Sequence, residues 1–199
     1  MSNFNTAYLN TGAFYGTLHP RIQIIFPSEW PSYYVGYSNA ATGFSPATRP
    51  FTGMTSDQQA GVRLALSIWS KYVSVAFVDT EVGGNKISFG ITPLNVSGIG
   101  FYPVWASNPS FQGDVFFSED QGSGKPFLPT AGGAAGIEGR SNFRLALHEI
   151  GHALGLDHDG GSAATAVSLF LVVNEQNWLY TVMSDDAYVQ RWTPITSML

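Results

Sequence analysis

The chain contains no cysteine. That excludes a disulfide scaffold, a thiol nucleophile and any cysteine-ligated metal. Charge is also sparse. Asp, Glu, Lys and Arg make up 12% of the 199 residues, against roughly 25% in an average soluble protein. The nine Lys and Arg are scattered singly, and the formal net charge is −5. A nucleic-acid partner, which needs a basic face, is therefore not expected, nor is a polybasic membrane patch. Long apolar runs are missing as well. The longest, Ala166 to Val173, is interrupted by Ser168 and falls short of the ~18 residues that a membrane span needs. The opening MSNFNTAYLNTGAFYG has no basic start and no apolar segment, so it does not read as a Sec signal peptide.

Core-forming residues are plentiful. Hydrophobic residues make up 44% and aromatics 14%, which excludes general disorder. The length suits one domain over residues 1–199. Residues 1–20 read as an arm or loop. Arg21 to Phe26 reads as a strand ending at Pro27. Residues 27–53, with four prolines, read mostly as loop. A helix is predicted from about Ser56 to Tyr72. Thr55 and Gln58 form its capping box, and Val62, Leu66, Trp69 and Val73 form its core face. Further strands are predicted at Val73–Val78, Lys86–Ile91, Gly98–Trp105 and Gly113–Ser118. Residues 121–140 hold six glycines and read as a loop. Gly122-Ser-Gly-Lys125 fails as a phosphate loop, because Pro126 stands where Ser or Thr is required and Glu119 where the first glycine is required. A second helix is predicted from Ser141 to about Leu154. The order of elements suggests an α/β arrangement, a twisted sheet backed by helices.

The chemistry concentrates in His148-Glu-Ile-Gly-His152-Ala-Leu-Gly155-Leu-Asp-His158. Three of the chain's four histidines lie in these eleven residues. On a helix, His148 and His152 stand one turn apart on one face and can share a metal ion. Glu149 sits on the edge of that face, placed to reach a water beside the metal. Glycine ends helices cheaply in a left-handed conformation. Gly155 can therefore turn the chain and return His158 to the ion. Three nitrogens leave one position open, as in a catalytic zinc site. Chance would produce the five fixed positions in roughly one chain in 10⁵. His19, before Pro20, reads as a surface residue.

This motif resembles the zinc signature of the metzincin peptidases, and its wording is similar to the serralysin branch. Tyr180-Thr-Val-Met183-Ser184 resembles the family's Met-turn. The 25 residues from His158 to Met183 are nearer to serralysins than to the matrix metalloproteinase branch. Ile87-Ser-Phe-Gly and Gly113-Asp-Val-Phe-Phe resemble strands of the family's sheet. The resemblance implies a mainly parallel twisted sheet with an antiparallel edge strand, two long helices behind it, and a small loop-rich C-terminal subdomain. Residues 1–158 would form the upper subdomain, with the sheet and the zinc helix. Residues 159–199 would form the lower one, with the Met-turn. It also implies one zinc per chain on His148, His152 and His158, Glu149 as the catalytic base, and Met183 as a floor beneath the ligand rings.

A peptide substrate would add to the edge strand through Gly100, Tyr102 and Val104. Secretion is implied by the resemblance, and a monomer is expected. Two departures stand out. Asp159 replaces the proline that serralysins usually have, and Asp185 replaces the tyrosine that they carry two residues after the methionine. No GGxGxD repeat occurs, so no motif here supports calcium. The expected activity is zinc-dependent endopeptidase cleavage of proteins. The alternative is a zinc-retaining peptide- or protein-binding module with weak or no turnover, favoured by Asp185 and opposed by Glu149. A gluzincin reading with Glu175 as third ligand is opposed by Gly155 and His158 at metzincin spacing.

Overall fold

Isoleucines alternate with polar residues in the first strand, β1 (Arg21–Ile25), and that period of two buries Ile22 and Ile24 on one face. The computed structural model describes residues 21–80, 85–103, 113–119, 137–156, 158 and 183. The other strands among the described residues are β2 (Ala76–Val78), β3 (Lys86–Ile91), β4 (Gly98–Gly100) and β5 (Val115–Phe117), in the order β2-β1-β3-β5-β4. Every pairing is parallel except that of β4 with β5. β3 lies third in the order. Ile87 to Ile91 are all buried, as a parallel strand covered on both faces requires. The mainly parallel sheet with an antiparallel edge strand is thus as expected. The residues expected to form a lower subdomain, 159–199, lie outside the described residues apart from Met183.

One face carries both helices. The first, α1 (Ser56–Trp69), starts at Thr55 with the expected reciprocal cap. The Gln58 amide donates to Thr55 Oγ1 at 3.3 Å, and the Thr55 amide donates to Gln58 Oε1 at 2.8 Å. A cap of this kind contributes about 1 kcal/mol. Val62, Ala65 and Leu66 enter a core with Ile22, Ile24, Ile87, Phe89, Val115, Phe117 and Ile150. The second helix, α2 (Ile137–Ala153), begins one turn before the predicted Ser141. Gly139, a poor helix former, thus lies inside the helix rather than in a loop. The Trp69 indole donates to the Leu147 carbonyl at 3.0 Å and joins α1 to α2.

The opposite face holds a second core that the loop-like composition of residues 27–53 hid. Tyr34, Phe44 and Phe116 are fully buried there, with Trp30, Tyr37, Phe51, Ile99 and Phe101 packed around them. Ring pairs such as Phe44–Phe116 (centroids 5.0 Å apart) and Trp30–Phe44 (5.3 Å) meet edge-on or tilted, the arrangement aromatic quadrupoles prefer. Gly90 of β3 faces this cluster, and any Cβ there would meet the Phe51 ring.

A fully buried carboxylate ties this layer to the sheet. Asp114 Oδ2 accepts from the Tyr33 hydroxyl at 2.7 Å and the Tyr34 hydroxyl at 2.9 Å. Its Oδ1 accepts from the Ser88 amide of β3 at 2.6 Å. Burial pushes Asp114 up to about 6, against the opposing pull of Tyr33, the Ser88 amide, Tyr34 and Lys86. Burial also raises both tyrosines, and the Asp114 charge reinforces the shift. A carboxyl whose folded pKa is raised contributes most below its unfolded pKa, and that contribution is lost as pH rises through the folded value.

Asp114→Asn keeps an acceptor for the hydroxyls but turns an N–H₂ toward the Ser88 amide. It should cost about 1–3 kcal/mol. The gap between wild type and variant should be widest near pH 4 and narrow toward pH 7. Urea unfolding across that range measures it, and a gap that widens with pH would contradict the assignment.

Candidate metal centre

The last turns of α2 carry His148 and His152 on one helical face, both buried. Their rings stand 4.7 Å apart between centroids and are nearly perpendicular. The helix ends where glycine was expected to end it. Gly155 has φ +96°, a left-handed conformation that other residues adopt only with strain. The Leu156 amide donates to the Gly151 carbonyl at 2.9 Å, and the Gly155 amide to the His152 carbonyl at 2.9 Å. These bonds satisfy helix-end carbonyls and reverse the chain. His158 then returns to the pair, with ring centroids 5.0 Å from His148 and 4.6 Å from His152.

The three Nε2 atoms form a triangle with edges of 3.0, 3.1 and 3.1 Å. His152 Nδ1 lies 2.8 Å from the Leu156 carbonyl oxygen. That oxygen can only accept, so Nδ1 carries the proton and Nε2 of the neutral ring offers a lone pair. A neutral imidazole nitrogen is either donor or acceptor, never both. Three mutual contacts can therefore contain at most two hydrogen bonds, and the third brings like groups together. A cation resolves the conflict, because all three lone pairs then point at one centre. Tetrahedral ligands at ~2.0–2.1 Å would have nitrogen–nitrogen edges of about 3.3 Å, close to those observed. The residues fit a zinc ion with one position left open. Among the described residues this is the only group of three or more His, Cys, Asp or Glu side chains placed to hold a metal.

Glu149 follows His148 on the helix and is buried against β4, 6% exposed. Beneath the helix lies Met183, 1% exposed, with its sulfur against Gly151. A Cβ at Gly151 would collide with that sulfur and lie 3.3 Å from Trp69 Cζ2. Alanine normally improves a helix over glycine by about 0.5–1 kcal/mol. Here the sign should reverse, and Gly151→Ala should cost about 1–3 kcal/mol through overpacking. Thermal unfolding of the apo-protein checks this, and a stabilised variant would place Met183 elsewhere.

The predicted substrate residues fall partly in view. Gly100 ends β4, and the Tyr102 ring stands edge-on to the His152 ring, centroids 5.5 Å apart. β4 lies at the end of the strand order. Val104, His19, Lys125, Glu175 and Asp185 lie outside the described residues. Sequence reasoning missed Gly98 and Gly151, whose importance lies in what packs against them. It also missed Asp114, for which the nearest signal was a lone carboxylate opening an apolar strand.

The family model for matrixin matches residues 43–191 of the chain. Matrix metalloproteinase-16 from Homo sapiens is 24% identical over 137 residues, covering 61% of this chain and 21% of that protein. The Mus musculus and Rattus norvegicus proteins of the same name match with the same figures. The chain thus spans about a fifth of the length of these relatives.

Proposed function

The chain belongs to the matrixin family, and from that premise we propose that it is a zinc-dependent endopeptidase acting on proteins. The observation that carries this reading is the convergence of three histidine Nε2 atoms, 3.0–3.1 Å apart, on the helix that also bears Glu149. Zinc held by His148, His152 and His158 supplies Lewis acidity, which makes water acidic near neutral pH and polarises a carbonyl. Glu149 acts as general base. Its carboxylate takes a proton from the attacking water and delivers it to the leaving amine. The Nδ1 proton of His152, held by the Leu156 carbonyl, fixes that ring's tautomer and orientation. Met183 fills the space under the ligand turn.

The substrate backbone lies along the edge strand at Gly100, Tyr102 and Val104. The outer position of β4 supports this, since a peptide can add itself to a strand edge. The upper subdomain covers residues 1–158 and the lower 159–199. Within the metzincins, the 25 residues from His158 to Met183 support a serralysin-like type. The protein is secreted and monomeric in this reading. No helix among the described residues is long and apolar enough to cross a membrane.

Incubation of the purified protein with casein, with and without a chelator, tests the function. Cleavage should stop with the chelator and return with zinc. Cleavage indifferent to chelator, or none after zinc loading, would overturn it.

A further inference from the structure

We propose that Gly98 is a positioning residue for Glu149, because its missing side chain leaves the space that the carboxylate occupies. Alternation along β4 puts Ile99 in the aromatic core on one face of the sheet and turns Gly98 and Gly100 to the other, toward α2. A Cβ at Gly98 would lie 2.9 Å from Glu149 Cγ, 3.0 Å from Oε1 and 3.1 Å from Cδ. These separations are shorter than packed carbon atoms tolerate. Gly98 is not among the described glycines with positive φ. Backbone conformation therefore does not demand glycine there, and the requirement is one of space.

The two glycines of β4 meet different parts of the helix. A Cβ at Gly100 would collide with the Glu149 carbonyl oxygen and lie 2.9 Å from His152 Cβ. Relief there means moving the strand away from the metal-bearing turn. At Gly98 the three nearest atoms all belong to the side chain of Glu149. The strand itself is pinned. Gly98 pairs with Phe117 and Gly100 with Val115. The Ser118 amide donates to the Ser97 carbonyl at 2.9 Å, and the Phe101 amide to the Asp114 carbonyl at 2.9 Å. A methyl group at Gly98 therefore displaces the carboxylate and leaves β4 and the three histidines in place.

This inference rests on the proposed role of Glu149, and its test has readouts independent of that role. Crystal structures of zinc-loaded wild type and Gly98→Ala should show the Glu149 carboxylate displaced, with β4 and the histidines unmoved. The variant's zinc affinity should match wild type. Casein cleavage should lose kcat by about 100-fold, as misplacement of a catalytic group by about 1 Å can cause, with KM within about twofold. If Gly98→Ala lowers stability to urea, the loss should vanish in a Glu149→Ala background, since the two groups are then uncoupled. An unmoved carboxylate, a loss that persists in that background, or an unchanged kcat would each overturn the proposal. A wild type that fails to cleave casein would sink the enzyme reading, while the structures and the stability cycle still decide the place of Gly98.

Discussion

Glu149→Ala should leave the zinc and the fold intact and lower casein cleavage by about 10²–10⁴-fold, the usual contribution of general acid–base catalysis. The separation of effects follows from the placement of the residue. Glu149 lies on the edge of the helix face that carries His148 and His152, and it takes no part in the nitrogen triangle. Removing its carboxylate leaves all three donors and the Gly155 turn unchanged. Its side chain is packed against Gly98 of the edge strand. Turnover numbers and zinc content measured on the same preparation decide the matter. Retention of more than about a tenth of the activity, given that expected loss, would show that another group moves the proton.

His152→Ala should have the opposite signature, with zinc lost first and activity lost as a consequence. His152 makes two of the triangle's three edges and has the ring orientation held by Leu156. Without it, His148 and His158 remain as a two-nitrogen site, too few for a tetrahedral ion without added waters. Loss of an outer-shell partner alone costs ~10–100-fold in metal affinity. Loss of a ligand should exceed that range. Competition with a chromogenic chelator reads the affinity directly. A variant that holds zinc as tightly as wild type would remove His152 from the ligand set.

Both expectations draw on the part of the chain most readable from sequence. The metal site is local: four-residue spacing sets two rings on one face, and a glycine reverses the chain before the third. The strand at Lys86–Ile91 and the cap at Thr55–Gln58 were readable for the same reason, since period and capping are short-range patterns. The aromatic core was not. Tyr34, Phe44 and Phe116 come from segments far apart in sequence, and the first two sit among prolines and glycines that punctuate a loop. Nothing in the local pattern says that such a loop folds over a sheet. The start of α2 was misplaced because Gly139 has a poor helix propensity and reads locally as part of a glycine-rich loop. Gly98 and Gly151 reveal themselves only when the opposing surface is known, because a glycine's contacts belong to its neighbours.

One zinc ion is expected on the three converging nitrogens. Anomalous diffraction at the zinc absorption edge, on crystals of the zinc-loaded protein, tests it most directly. A single strong peak should lie ~2.0–2.1 Å from the Nε2 atoms of His148, His152 and His158, with one coordination position left to solvent. No peak within bonding distance of the three rings, or a peak only elsewhere on the chain, would contradict it.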